Sequence, residues 1–406
     1  MKRITFVLFG LLGPTAACGG GTKVSPADSA DATAEASLPY AAECAGAAVP
    51  PASIECTGLY ADLATKQLAP GVRSFAPAVP LWSDGAEKER WISLPPGTQI
   101  YAGDPSEWVF PVGTKVWKQF RRDGKRIETR LFQKTQPGYW VRTTYAWSDD
   151  ESAATISPGG DMPLGTGGGT YHIPTPDECD QCHRGRNDHL LGFEQVSLGL
   201  AGATGLTLAE LVREQLITPP PARTSLTVGD DGTGVAAAPL SWLHVNCGVS
   251  CHNGNSDSTA YGSGLRMRLD PTLLDGRSSA DFDARTTTLG LLATTPTWNG
   301  QTRIVPGDPS HSLLVKLISN RGTNNPVANQ MPPIATFIVD TADTKNVVDW
   351  ISQMPRASTA DAGGDAQALD ATPGSDAQPG AEASTDAGAD ASDATLPDAE
   401  IDSAGE

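Results

Sequence analysis

The sequence predicts an α+β protein with an antiparallel β-rich N-terminal domain, an all-α C-terminal domain and disordered tails. Runs of aromatic and β-branched residues, such as RWISL and YWVRTTYAW, fill residues 80–156, which hold six of the nine tryptophans. Apolar residues at helical spacing follow, as in TLAELVREQLI. Residues 357–406 are mostly Ala, Asp, Gly, Pro and Ser, a composition that cannot bury a core and predicts a disordered acidic tail.

Length and charge limit the function classes. The chain has 406 residues, enough for two ordinary domains with tails. Its net charge is −18, but residues 361–406 carry 12 acidic and no basic residues, so the remainder carries only −6. No basic patch stands out, which argues against a nucleic-acid partner.

The N-terminus has the pattern of an export signal, assigned to residues 1–17. A charged MKR precedes the apolar run ITFVLFGLLG, which is too short to span a bilayer, and then TAAC. The cysteine after small residues resembles the lipobox of bacterial lipoproteins and makes Cys18 the lipidated residue. Residues 18–40 are then predicted to form a flexible tether, and the protein is expected to be exported and membrane-anchored, facing the periplasm or cell surface. The alternative is an ordinary signal peptide with an unrelated cysteine.

The seven cysteines can all be assigned in an exported protein, where free thiols are rare. With Cys18 lipidated, six remain. Cys44 and Cys56 flank a Pro-rich stretch that a disulfide would close. The other four cysteines belong to two motifs further along the chain.

Residues 41–160 are predicted as the β-rich domain, sandwich-like or a partly closed barrel. Asp123-Gly124, between the strand-like runs TKVWKQFRR and RIETRLFQ, is a strong hairpin signal. Residues 237–356 are predicted as helical. Three segments there carry helical patterns: APLSWLHVNCGVSCH, GDPSHSLLVKLISN with Asp308 as its N-cap, and DTADTKNVVDWISQM.

The first cysteine motif is CDQCH. C-x-x-C-H is the attachment signature of c-type haem, in which both thiols form thioethers and the histidine binds iron. Cys179 and Cys182 are one helical turn apart, and His183 follows as the proximal ligand. The alternative is a redox or zinc-binding pair followed by an unrelated histidine.

The second motif, CGVSCH, has one residue more. Cys247 and Cys251 are four positions apart, so at about 100° per residue they are displaced around a helix unless its path changes. His252 is the predicted proximal ligand of a second haem. A disulfide between these cysteines or half of a zinc site is the alternative.

A second iron ligand, on the distal side of the haem, can be predicted for the second motif but not for the first. Met331 lies in NQMPP, where two prolines restrict the backbone, and is the candidate for the second haem. For the first motif no distal ligand stands out, and the candidates are Met162, His172, His189 and His244.

Several of these segments carry a resemblance to known proteins. SWLHVNCGVSCHNG, IVPGDPSHSLLVKLI, QMPP and VVDWI resemble the cytochrome c-like domain at the end of many exported bacterial haem proteins. PLWSDGAEKERWISLPPGT and YHIPTPDECDQCH are similar to secreted proteins of unknown activity in which a β-rich region precedes a haem motif. The resemblance covers about residues 77–354. It implies a first haem segment at 161–236 and an all-α cytochrome c-like haem domain at 237–356.

These observations predict an electron-transfer protein with covalently bound haem c, two groups if both motifs are loaded, and redox proteins as partners. One alternative is a haem peroxidase-like enzyme that uses the first haem, since that haem lacks an obvious distal ligand. Another is a haem-free surface binding protein stabilised by zinc or disulfides.

Overall fold

The computed structural model describes residues 44–163, 170–321 and 330–356. The tails, the tether and Cys18 lie outside these residues. Thirteen strands occur in the described residues. In chain order they are β1 (Tyr60–Asp62), β2 (Gln67–Leu68), β3 (Arg73–Ala76), β4 (Glu87–Ser93), β5 (Ile100–Tyr101), β6 (Lys115–Arg122), β7 (Lys125–Gln136), β8 (Tyr139–Trp147), β9 (Ala154–Ser157), β10 (Gly160–Pro163), β11 (Thr170–Ile173), β12 (Thr204–Gly205) and β13 (Ile217–Thr218).

An antiparallel sheet of seven strands organises the fold, in the order β12-β3-β4-β6-β7-β8-β9. Its centre is a meander, because consecutive strands rich in β-branched and aromatic residues pair through short turns. Asp123 and Gly124 both have positive φ, 51° and 78°, and connect β6 to β7. The hairpin predicted at this dipeptide is confirmed.

Both faces of the sheet are covered. One face carries Trp91, Trp117 and Tyr145, which pack against Ile54 and Leu59 from the preceding segment. The other face has an apolar end, where Ile92, Val116 and Phe132 pack with residues 108–110 and 190–217. Its middle is lined by charged side chains and faces a cavity.

Seven α-helices are present in the described residues, and most are short. They are α1 (Pro176–His183), α2 (Gln195–Gly199), α3 (Leu208–Arg213), α4 (Ala237–Leu243), α5 (Asp283–Thr286), α6 (Leu313–Ile318) and α7 (Thr341–Gln353). A π turn, His244–Gly248, continues α4. Helices α4 and α7 pack together in a core that contains Leu240, Leu243, Val347 and Trp350. None of the described helices is long and apolar enough to cross a membrane.

The predicted fold class, α+β with an all-α cytochrome c-like domain, is wrong. The described residues are dominated by the seven-stranded sheet, and residues 237–356 hold only short helices joined by turns and loops. Proline is one physical reason, since it ends or prevents regular helix. Pro271, Pro296 and Pro309 each begin a short 3₁₀ turn. Asp308, the predicted cap of a long helix, caps such a turn instead.

Candidate functional site

A cavity of about 1180 Å³ lies between the charged part of the sheet and the segments that carry the two cysteine motifs. It is larger than the roughly 300–1,000 Å³ of most small-molecule sites. The walls include every residue predicted to hold haem, namely Cys179, Cys182, His183, Cys247, Cys251, His252 and Met331. The fold therefore brings both motifs to one cavity, although they are about seventy positions apart in sequence.

The first motif lies on α1, whose start is well defined. Thr175 Oγ1 accepts from the backbone N–H of Glu178, and the Thr175 N–H donates to the Glu178 carboxylate at 2.8 Å. This capping box fixes where the helix begins. Cys179 and Cys182 therefore stand one turn apart at the cavity, both half-buried.

His183 is held as a neutral imidazole. Its Nδ1 lies 2.6 Å from the carbonyl oxygen of His189, which can only accept, so Nδ1 carries the proton. Burial lowers the pKa of His183 to about 3, with the positive charges of Arg142 and Lys118 adding to the effect. The ring packs on Phe132, with centroids 4.3 Å apart. Nε2 is left as the basic nitrogen, which is the form of histidine that binds metals.

The second motif has a local structure that accommodates its extra residue. Two backbone hydrogen bonds span five residues, from Val249 N to His244 O and from His252 N to Cys247 O, each 2.8 Å. A π turn of this kind holds one residue more than an α turn and is frequent at functional sites. The helix path thus changes at the motif, and Cys247 and Cys251 both reach the cavity wall.

His252 is buried and neutral as well. Burial lowers its pKa to about 4, and the charges of Arg303 and Arg266 contribute. Ser263 Oγ lies 3.5 Å from Nδ1. Each motif therefore presents one neutral histidine at the cavity.

The two motifs touch through their cysteines. Cys182 and Cys251 interact, and this interaction lowers the pKa of Cys251 and raises that of Cys182. Thr259 Oγ1 also donates to Cys251 Sγ at 3.3 Å. Burial raises the pKa of Cys247 to about 12. Of the four motif thiols, Cys251 is the one whose pKa is lowered, and the residue responsible is in the other motif.

Backbone contacts hold the motifs together. The Asn253 side-chain amide donates to the carbonyls of Gly248 at 2.9 Å and Gly185 at 3.3 Å. A Cβ on Gly185 would lie 1.8 Å from the carbonyl oxygen of Ser250. The approach of the two chain segments thus requires a glycine directly after CDQCHR.

His172, a distal-ligand candidate, has both ring nitrogens engaged. Nδ1 lies 2.8 Å from Asp161 Oδ1, and Nε2 lies 3.0 Å from Glu178 Oε2. These contacts connect the β10–β11 hairpin to the start of α1. His172 is placed to fix the cavity rim.

The protein should lose some stability through His172 as the pH rises above about 6.5. Burial by itself lowers the pKa of this histidine, but the carboxylates of Asp161 and Glu178 outweigh it, and the pKa is raised. The stabilisation is therefore complete below the unfolded pKa of about 6.5 and is lost as the pH rises through the folded pKa. Thermal unfolding followed from pH 5.5 to 8.5 should show a decline in Tm that His172→Gln reduces. Parallel profiles for both proteins would contradict this role.

His244 and His189 are also engaged. The backbone N–H of Leu269 donates to His244 Nδ1 at 2.9 Å, and His244 Nε2 faces Glu194 at 3.3 Å, all buried. His189 Nδ1 lies 3.2 Å from the carbonyl of His183. His244 therefore connects Leu269 and Glu194 within the core, and His189 stabilises the loop that supports His183.

Met331 and Met162 both line the cavity. Met331 packs between the α4–α7 core and a smaller cluster around Leu313 and Leu317. Its backbone N–H donates to Leu317 O at 3.0 Å. The thioether is thus held at the cavity by a fixed backbone.

Within residues 44–163, 170–321 and 330–356, no group of three or more His, Cys, Asp or Glu side chains is arranged to hold a metal ion. The positions of the motif side chains therefore argue against a four-ligand zinc site built from both motifs, since the ligands of a zinc ion must surround one point. Haem c has a different requirement, because cysteine binds the porphyrin and a single histidine reaches each iron.

Cationic side chains on the sheet wall were missed by the sequence reasoning. Arg90, Lys118 and Arg130 lie on adjacent strands and face the cavity. The available signal was that each of these strands carries basic residues in its interior, next to aromatic and apolar ones.

No known protein family, curated protein or solved structure matches the chain. The resemblance to exported c-type cytochrome-like lipoproteins is wrong, because no family matches and no cytochrome c-like all-α domain occurs in the described residues.

Cys44 and Cys56, which lie outside the cavity, are joined by a disulfide. The lipid anchor at Cys18 stays a prediction from sequence.

Proposed function

We propose that the cavity holds covalently attached haem c and that the protein transfers electrons. The main support is that His183 and His252, one from each motif, line the same cavity as neutral imidazoles. The Nδ1 of His183 donates to a carbonyl, the outer contact typical of a metal-binding histidine. These features fit the group, since each motif offers two thiols and one basic nitrogen.

Haem supplies one-electron chemistry between Fe(II) and Fe(III) when it is bound. Cys179 and Cys182 would hold one group, and Cys247 and Cys251 a second. His183 and His252 would be the proximal ligands. Met331 is the distal candidate at the second motif and Met162 at the first, because the ring nitrogens of His172 and His244 face other partners.

The sheet and the loop around Met331 also contribute apolar side chains to the cavity. Val116, Phe120 and Phe132 line it from the sheet, and Pro332 and Pro333 line it from the loop. Such surroundings keep water away from a redox centre and influence its potential. The shared cavity would make two haems neighbours, which suits electron passage through the protein to redox partner proteins.

Mass spectrometry of the exported protein is the direct test. We expect two covalent haem adducts in the natural sequence and one adduct in each of the variants C179S/C182S and C247S/C251S. The variant C44S/C56S is the matched control, because it removes two cysteines outside the cavity and should keep both adducts. An exported protein with no adduct would overturn the proposal.

The contact between Cys182 and Cys251 favours one other function, a haem-free binding protein stabilised by disulfides. The bond would then join the two motifs and not Cys247 to Cys251. Peptide mapping without reduction separates the cases, since a Cys182–Cys251 cross-linked peptide excludes thioethers at both residues.

A first haem that Met162 leaves without a second ligand would permit a peroxidase-like reaction, because His172 and His244 are engaged elsewhere. The absorption spectrum distinguishes this function from electron transfer. Low-spin iron at both sites supports a carrier, whereas a high-spin component that C179S/C182S removes supports an enzyme.

A further inference from the structure

Three cations form a row across the sheet wall of the cavity. Arg90 on β4 pairs with Lys118 on β6, and Lys118 pairs with Arg130 on β7. Side chains of residues paired in this way stand about 4.5–5.5 Å apart at Cβ, and like charges at such positions repel each other. All three side chains line the cavity, as do Cys179 and His183. We call these three residues the cationic row.

Two members of the row lack an anionic partner among the described residues. Arg90 is only 9 % exposed, and no described residue makes a hydrogen bond or ion pair with its side chain. Lys118 is half-buried, its Nζ lies 4.8 Å from the centroid of the Phe120 ring, and it makes no ion pair with a carboxylate in the described part of the chain. Arg130 is neutralised by the buried carboxylate of Glu128.

The unpaired charges are costly to the folded protein. Burial lowers the pKa of Arg90 to about 10 and that of Lys118 well below its usual value, with neighbouring cations adding to the effect on Lys118. A charge that is partly removed from water and has no ion-pair partner destabilises a protein. Two such charges that face one cavity are best explained by a ligand of opposite charge.

We infer that the cationic row binds an oxyanion of the carboxylate type inside the cavity. Guanidinium and ammonium groups are the side chains that recognise carboxylates and similar oxyanions, and Arg90 offers a planar fork of donors. Two sources carry this chemistry. One is the pair of propionate carboxylates on a bound porphyrin, which rests on the proposed function, and the other is a free small oxyanion.

Inorganic phosphate is the probe, measured by calorimetry with exported protein and with the haem-free variant C179S/C182S/C247S/C251S. We expect the haem-free protein to bind phosphate and K118M or R90M to bind it about 10- to 100-fold more weakly, the loss for one hydrogen bond to a charged group. K316M is the matched control, because Lys316 is exposed and lies outside the cavity. Equal binding by all four haem-free proteins would overturn the inference.

The haem-loaded protein identifies the source. Row-dependent phosphate binding in the loaded protein indicates a free oxyanion, whereas binding only in the haem-free protein indicates that propionates occupy the row. If the exported protein carries no haem, the proposed function fails, and phosphate binding by that protein still tests the row directly.

Stability gives an independent readout. In phosphate-free buffer, K118M should raise the Tm of the haem-free protein, since it removes an unpaired charge, while K316M should leave it unchanged. If the serine variant does not fold, the midpoint potential of the loaded protein replaces this measurement. Loss of a nearby positive charge should lower the potential in K118M and not in K316M. A lower Tm or an unchanged potential in K118M would contradict the inference.

Discussion

The substitution Asp188→Ala is expected to destabilise the protein by about 3–5 kcal/mol, the usual cost of leaving a buried charge without its partner. Asp188 and Lys134 are almost completely buried, and Nζ lies 2.7 Å from both carboxylate oxygens. Asp188 also accepts from the Phe110 backbone N–H at 2.6 Å and the Trp140 indole at 3.1 Å. The variant would lose all of these contacts while Lys134 stays buried.

The substitution should also affect the candidate site. Asp188 directly precedes His189, whose carbonyl accepts from His183 Nδ1. Under the proposed function, weakening this loop should therefore also reduce the fraction of chains with haem attached at the first motif.

Urea unfolding at pH 7 measures the stability effect, and the exposed Asp281→Ala is the matched control, expected within about 0.5 kcal/mol of the natural protein. The double variant K134M/D188L should recover much of the loss, because it removes both charges together. Equal stability of Asp188→Ala and Asp281→Ala would show that the buried pair is not a major contribution.

Gly185→Ala is expected to separate the two motifs. The added Cβ would lie 1.8 Å from Ser250 O and 2.8 Å from the carbonyl carbon, which are backbone atoms that cannot rotate away. Overpacking of this kind typically costs about 1–3 kcal/mol and sometimes more. Displacement of Ser250 would move the neighbouring Cys251, so under the proposed function haem attachment at the second motif should fall with the stability.

Gly254→Ala provides the control, since no atom lies within 4 Å of the position that its methyl group would take and its backbone is not left-handed. The comparison uses urea unfolding together with haem adducts per chain. Full haem loading and natural stability in Gly185→Ala would contradict the close approach of the two segments.

Much of the sheet could be predicted from local sequence. The alternating runs around Trp91, Trp117 and Tyr145 predict strands, and Asp123-Gly124 predicts the turn between two of them, because these preferences are local. The helical C-terminal domain could not be judged in this way. Helical spacing in APLSWLHVNCGVSCH does not reveal a π turn, and proline-started turns replace the longer helix expected near Asp308.

For the candidate site, the sequence identified both cysteine motifs and Met331 but not their surroundings. His172 and His244 were open candidates for iron until their carboxylate partners were known, and those partners come from other elements. Arg90 and Lys118 looked like ordinary basic residues of strands. Their position on a cavity wall depends on strand register and on the chain that covers the sheet.

The sequence alone determined which residues are candidates for the chemistry, since thiol, imidazole and thioether groups at fixed spacing are local properties of CDQCH, CGVSCH and NQMPP. Only the tertiary structure decided that both motifs share one cavity, that Cys182 contacts Cys251, and that a row of cations faces them. The reason is physical. These contacts join residues far apart in the chain, and the packing of a whole sheet against the motif segments determines their distances and charges.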